Sequence, residues 1–323
     1  MGKKGKAAAR ERREQRRAEV TLLRAVPYEP HQRWWDLMAP ALARAVAVVT
    51  GASRGIGREI ARQLALDGLH VVLASRDAAC GREAAEKLVE EAAAAGGASV
   101  AVEWRQLDVA DAASVEAFAA WTARTHGGIH VLVNNAGVNF NRGADNSVKF
   151  SEQVIETNYF GTKRMIEATE TFSVWWPDSE CELKAWQGQW QRIGDASLKE
   201  QLLTDDRLSE ELIDGMVTEF VEQVKQDSWS PVDWPQMYTD YSVSKLAVNA
   251  YTRLMARRLL DRPEGQKIFI NCFCPGWVKT AMTGWEGNIS AEEGADTGVW
   301  LALLPQEQAT IGKFFAERRE MSF

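Results

Sequence analysis

Thr50-Gly-Ala-Ser-Arg-Gly-Ile-Gly57 decides the fold of this 323-residue chain. An apolar, β-branched run, Val46 to Val49, precedes it, and Arg58 to Leu66 follows with Ile60, Leu64 and Leu66 on a helical stripe. The stretch therefore reads as strand, glycine turn, helix. Gly51, Gly55 and Gly57 omit the Cβ atoms that would hold a pyrophosphate off the backbone. The helix N-terminus then supplies free N–H groups and positive potential. A bare glycine triplet also suits an ordinary βα loop. The G-x-x-x-G-x-G spacing, with Thr50 in front, a strand before and a helix after, favours nucleotide binding.

Working outward, His70 to Ala74 is a short apolar strand that ends in Ser75-Arg76-Asp77. In dinucleotide folds the end of this second strand faces the adenosine ribose, where an acid accepts from a 2′-OH and an arginine pairs with a 2′-phosphate. Arg76 stands where the acid is expected and Arg54 adds a second cation, so the expected cofactor is NADP(H). Against this stand Asp77, one place further on, and plain surface charge as the role of both arginines. Helix 78–95, strand 99–105, helix 112–125 and strand 129–133 continue an alternation that implies a parallel, doubly wound, Rossmann-like α/β sheet. After the third strand comes Leu107-Asp108-Val109, where Asp108 either accepts from an adenine amino group or caps the next helix.

Strand four ends in Asn134-Asn-Ala-Gly137. With the glycine turn and Tyr241-Ser-Val-Ser-Lys245, this resembles the short-chain dehydrogenase/reductase family over about residues 45–320. The resemblance implies that Asn135, Ala136 and Gly137 back the cofactor and stabilise the sheet's centre. It implies that Asn158, within Glu156-Thr-Asn-Tyr-Phe-Gly161, holds a proton-relay water. Pro275-Gly-Trp-Val-Lys-Thr280, after a strand at 268–274, would contact the nicotinamide carboxamide. The expected cofactor set is Gly51, Ser53, Arg54, Gly55, Ile56, Gly57, Arg76, Asp108, Val109, Asn135, Ala136, Gly137, Tyr241, Lys245, Pro275, Gly276, Val278 and Thr280.

Tyr241 and Lys245, four apart, share one helix face. A tyrosine is a feeble acid, with a pKa of about 10, and a neighbouring ammonium favours its anion. Tyr241 is therefore expected as the acid in carbonyl reduction, with Lys245 as its activator and bridge to the ribose; the family resemblance implies Asn158 as the third catalytic residue. The expected substrate is a small apolar ketone or aldehyde. A nucleotide-sugar epimerase is disfavoured, since its glycines usually run G-x-x-G-x-x-G.

Residues 192–237 form an acidic, helix-patterned insert, in which Leu208, Leu212, Ile213, Met216, Val217, Phe220 and Val224 recur at helical spacing. It resembles the monomeric carbonyl reductase branch of the family, which includes plant neomenthol dehydrogenase and salutaridine reductase type enzymes. There, extra helices cover a face that oligomeric relatives use for assembly, so a monomer is expected.

A fifth strand ending in a serine should precede that insert, and it is missing. In its place residues 172–191 hold four of the chain's thirteen tryptophans and show neither strand alternation nor a helical stripe. Read one base later, codons for the same residues permit Ser-Pro-Ser-Gly-Gly-Arg-Ile-Val-Asn-Val-Ser-Ser-Arg-Leu-Gly-Arg-Ala-Asn-Gly, a family-like strand with its serine. The reading is a local frame change that opens near Thr171 and closes near Arg192, with the serine's codon straddling Leu183 and Lys184. Phe172 to Trp176 is β-prone and can slip into the gap. Ser173 and Ser179 are the only nearby hydroxyls. The expected enzyme is therefore impaired, and the rival reading is a cofactor-binding protein with little or no turnover.

Composition bounds the rest. The net charge of −7 hides a split: residues 1–44 carry eleven Lys/Arg against five Asp/Glu, which leaves −13 on the body. The body is thus a poor nucleic-acid binder. Residues 45–323 read as one catalytic domain and 1–44 as a basic arm and lead-in. The arm has no apolar core for a signal peptide or membrane span. Its interspersed Glu11, Glu14 and Glu19 and its lack of serine among the first residues speak for a cytoplasmic protein over a plastid one. Cys80, Cys181, Cys272 and Cys274 show no metal-ligand spacing, so no metal is expected and buried thiols are. Trp277, Met282 and Trp285 either line the substrate mouth or pack in the core.

Overall fold

A computed structural model describes residues 45–94, 100–141, 147–169, 193–235, 238–263, 267–304 and 309–321, together with the backbone of 173–175. The basic arm, Cys181 and the remainder of 172–191 lie outside the described residues. The first half is a strand–helix alternation: β1 (Val46–Thr50), α1 (Gly55–Leu66), β2 (His70–Ser75), α2 (Ala78–Ala94), β3 (Val102–Gln106), α3 (Ala112–His126) and β4 (Val131–Val133). A parallel sheet runs β3-β2-β1-β4-β5, where β5 is Ser173–Trp175. This is the doubly wound α/β order. β1 is buried at all five positions, as a central parallel strand covered on both faces must be. Its alternate residues feed two cores, with Val46 and Val48 packing on one face of the sheet and Ala47 and Val49 on the other.

Beyond β4 the chain makes α4 (Ser151–Ile155), a π-helical turn (Glu156–Phe160) and α5 (Gly161–Thr169). The insert forms α6 (Ala196–Leu203) and α7 (Glu210–Lys225), and α8 (Thr239–Leu260) follows. β6 (Cys272–Cys274), α9 (Ala291–Ala302), β7 (Phe314–Ala316) and β8 (Arg319–Met321) complete the described chain. Among the described residues no helix is long and apolar enough to cross a membrane.

Two features depart from the sequence expectation. Thr310 to Phe315 reads in the sequence as a last edge strand, whereas β7 pairs parallel with β6 on one side and antiparallel with β8 on the other. Arg319 to Met321 gave no strand signal because its polar side chains sit on an outer edge. Second, Cys80 is exposed while Cys272 and Cys274 are buried, so the thiols do not share one environment.

Ser173–Trp175 continues the β4 register, and among the described residues β6-β7-β8 forms a separate ladder with no pairing between β5 and β6. Asn134, next after the paired residues of β4, is 4% exposed, and neither polar atom of its amide has a hydrogen-bond partner. A buried polar group left in that state costs about 1–3 kcal/mol.

The insert is tied down by charge as well as by its apolar stripe. The Tyr159 hydroxyl donates to Asp214 Oδ1 at 2.6 Å, and Lys163 Nζ lies 2.7 Å from Asp214 and 2.6 Å from Glu210. Arg258 reaches Glu210 at 2.7 Å. Lys163 and Arg258 hold the Glu210 carboxyl below the usual glutamate range, while burial, reinforced by Asp214, pushes the Tyr159 phenol up. Arg253 closes the other end by donating to the carbonyls of Leu202 and Leu203 at 2.9 and 3.1 Å. These bonds seat α7 against α8, of whose 22 residues 18 are buried.

Candidate active site

The glycine turn is held by hydrogen bonds that the motif alone does not show. Thr50 Oγ1 donates to Val133 O at 3.3 Å and accepts from the amides of Asn135 and Ala136 at 3.0 and 2.9 Å. The Asn135 side chain donates to the carbonyls of Thr50 and Gly51 at 2.9 and 3.2 Å. Gly51 has φ +63° and Gly55 φ +60°, the left-handed region that favours glycine. A Cβ on Gly57 would sit 2.2 Å from Asn135 Nδ2, so the third glycine exists as much for β4 as for a ligand.

Gly57→Ala is expected to push Asn135 off the turn and destabilise the protein by about 1–3 kcal/mol in urea unfolding. Gly215→Ala, in α7 where a Cβ meets nothing within 4 Å, should instead stabilise by about 0.5–1 kcal/mol. Equal effects at the two positions would refute this account.

Does this cradle fit a dinucleotide? α3, α6, α7 and α9 are capped by the side chains of Asp111, Asp195, Ser209 and Ser290, whereas Arg54 at the start of α1 makes no capping bond. The first N–H groups of α1 are therefore left for an anion. A Cβ on Gly55 would point at Thr280 Cγ2, 3.5 Å away, so Pro275–Thr280 closes over the turn. Ser53 is half-buried at its rim, Arg54 is exposed, and Ile56 points into the core. The residues fit the group.

At the adenosine end Arg76 is exposed beside Asp77. The acid is already engaged: Asp77 Oδ1 accepts from the Cys80 amide at 2.8 Å, which lowers its carboxyl below the usual aspartate range. Asp77 in turn raises the Cys80 thiol, and Arg54 opposes that shift, which brings the Arg54 charge close to the start of α2. Asp108 does not cap α3. It accepts from the Ala110 amide at 3.0 Å, and Asp111 is the cap. Val109 is buried, and the α5 backbone approaches it so closely that a Cβ on Gly161 would lie 2.9 Å from its carbonyl oxygen.

The expected acid and its activator, Tyr241 and Lys245, both lie on α8. Tyr241 is 2% exposed and Lys245 7%, and Lys245 Nζ lies 5.3 Å from the centroid of the Tyr241 ring. Asn158 sits in the π-helical turn, an irregularity that is common at functional sites. Its Oδ1 accepts from the Val138 amide at 2.8 Å, and its Nδ2 donates to Val138 O and to Ser244 Oγ, both at 3.0 Å. Ser244 then donates to Tyr241 O at 2.7 Å. Asn158 thus fastens the loop after β4 to the tyrosine helix. Gly137 lies against the same amide, since a Cβ there would be 3.4 Å from Asn158 Oδ1.

Pro275 and Val278 are buried, Gly276 has φ +87°, and Thr280 N donates to Thr283 Oγ1 at 3.1 Å. Trp285 is 63% exposed, which removes it from the core, while Met282 packs partly against it. Two site features escaped the sequence reading. Asn141 Nδ2 donates to the buried Asp240 at 2.7 Å, and Asp240 Oδ1 accepts from the Tyr241 amide at 2.7 Å. Tyr238 enters α8 with φ +47°, a strained conformation for an aromatic residue. The acid beside Tyr241 was visible in sequence, but its partner lies 99 residues away.

With this geometry in place, comparison with known proteins gives a consistent answer. The family profile described as short chain dehydrogenase matches residues 45–172. The chain is 35% identical over 298 residues to (+)-neomenthol dehydrogenase of Arabidopsis thaliana, covering 86% of this chain and 97% of that protein. It is 33% identical over 284 residues to carbonyl reductase (NADPH) 1 of Mus musculus, covering 86% of this chain and 98% of that protein. Among solved structures, salutaridine reductase from Papaver somniferum matches with a TM-score of 0.72 at 31% identity, over 84% of this chain and 99% of that one. The chain belongs to the short-chain dehydrogenase/reductase family, a family of oxidoreductases.

Proposed function

We propose that this protein reduces a small apolar ketone or aldehyde to the alcohol with NADPH, as a cytoplasmic monomer whose turnover is limited by the missing serine. The observation that carries the reading is the hydrogen-bonded line from Thr50 through Asn135, and from Val138 through Asn158 and Ser244 to Tyr241, which fixes the glycine turn and the tyrosine helix about one site. When bound, the nicotinamide supplies a hydride. Tyr241 gives its phenolic proton to the carbonyl oxygen as the carbonyl carbon accepts that hydride, and the Lys245 ammonium favours the resulting tyrosinate. Asn158 positions both through Ser244 and holds the relay water that returns the proton. The names of the mouse and Arabidopsis relatives agree with this class of reaction.

Arg54 and Arg76 select the 2′-phosphate, since the acid beside them is spent on the start of α2. Replacing both by alanine is expected to lower the preference for NADPH over NADH by about ten- to a hundredfold, the worth of one or two charge-assisted hydrogen bonds. A fluorescence titration with each cofactor reads this directly. An unchanged ratio would return both arginines to plain surface charge. The rival reading, a cofactor-binding protein without turnover, is favoured by the lack of β5–β6 pairing among the described residues and by the orphaned Asn134 amide. Tight NADPH binding with no oxidation across a carbonyl panel would establish it.

A further inference from the structure

We propose that His70, Glu103 and His126 form a binding site for a zinc-class divalent cation at the base of the sheet, at the opposite strand ends from the glycine turn. His70 opens β2, Glu103 is the second residue of β3, and His126 is the last residue of α3. Register puts His70 and Glu103 on one sheet face, because Val71 pairs with Val102 and side chains alternate. α3 covers that face and brings in His126. One ligand atom from each residue lies within 4.8 Å of the other two.

Glu103 Oε1 is 2.9 Å from His70 Nε2 and 2.7 Å from His126 Nε2. The first contact is a hydrogen bond. The second is close but off the angle for one, so His126 Nε2 is a buried nitrogen with no hydrogen-bond partner. The His126 side chain is only 9% exposed. It therefore bears a desolvated lone pair or N–H aimed at a carboxylate without the bond that would repay burial. A cation between the three groups resolves this.

Donors bonded to zinc at about 2.0–2.1 Å in a tetrahedron stand about 3.3 Å apart, so the two Glu103 contacts would open by roughly half an ångström, while the three ligand atoms already lie within 4.8 Å of one another. Two imidazoles and one carboxylate suit zinc, cobalt or nickel, and are too few oxygens for calcium or magnesium. The ligands are also held in place. The His126 ring sits edge-on to Trp121 at 5.2 Å and to His70 at 4.9 Å, and Arg105 lies over Trp121 at 4.7 Å. The C-terminal end of α3, with Gly127 as its left-handed cap, adds negative potential beside His126. His70 and Glu103 are each about one-third exposed, which leaves a fourth position open to water. Three ligands from β2, β3 and α3 make this a clamp on the sheet edge.

The test uses the full chain stripped with a chelator and titrated with Zn2+ against a chromophoric competitor, then with Co2+ by visible absorption. One equivalent is expected at micromolar affinity or better, with tetrahedral Co2+ bands. His126→Gln should weaken it by at least a hundredfold and Glu103→Gln by about ten- to a hundredfold, with cooperative thermal unfolding of each metal-free variant as the control for folding. If neither variant folds, NMR of the Co2+-loaded native chain should show paramagnetically shifted imidazole protons from two histidines. Zn2+ bound equally well by the variants, no equivalent tighter than about a hundred micromolar, or no shifted imidazole signals would overturn the proposal.

Discussion

Tyr241→Phe is expected to abolish carbonyl reduction, lowering kcat by about 10²–10⁴-fold, while leaving NADPH affinity nearly unchanged. The phenol lies beside a buried ammonium on its own helix, with Lys245 Nζ 5.3 Å from its ring centroid. The substitution removes that hydroxyl and keeps the ring, which is 2% exposed and packed in the core, so the helix should hold its place. Stopped-flow oxidation of NADPH with a panel of ketones and aldehydes measures the effect, and thermal unfolding checks the fold. A rate that survives the change would mean that another group delivers the proton. The argument assigning roles to Asn158 and Lys245 would then fall with it, because both are placed with respect to the phenol.

The parts legible in the sequence are those where local chemistry and position coincide. The glycine turn could be read because strand, turn and helix follow one another within Val46–Leu66, and Tyr241 with Lys245 because a helix puts residues four apart on one face. What stayed hidden depends on contacts between distant segments. No periodicity announces that Asn158 lies in a π-helical turn, or that its amide joins Val138 to Ser244, 86 residues further on. The reason Gly57 must be glycine lies in Asn135, in the loop after β4. His70 and Glu103 are 33 residues apart and meet only because β2 and β3 pair, so a search for close metal-ligand spacing passes over them. The insert's helices were evident from their apolar stripe. The Tyr159–Asp214–Lys163 connection that seats α7 was not, because each member alone looks like an ordinary surface residue.

Replacing residues 172–191 with Ser-Pro-Ser-Gly-Gly-Arg-Ile-Val-Asn-Val-Ser-Ser-Arg-Leu-Gly-Arg-Ala-Asn-Gly-Arg is expected to raise kcat by about 10²–10³-fold, the usual worth of one oxyanion-type donor. As the chain stands, no pairing joins β5 to β6 among the described residues, β6 pairs with β7, and the Asn134 amide beside β4 is buried without a partner. A full strand rich in Ile and Val at this position would pair on both sides and give the buried groups after β4 new neighbours. It would also bring its serine to the strand end nearest Tyr241. Denaturant unfolding should therefore rise together with turnover, and Tyr241→Phe in the repaired chain should remove the gain. Sequencing the cDNA addresses origin separately: an uninterrupted frame encoding Phe172 to Gln191 would leave alternative splicing as the source. If the replaced chain reduces carbonyls no faster than the chain as given, the serine is not what limits this protein, and the frame-change account loses its functional half.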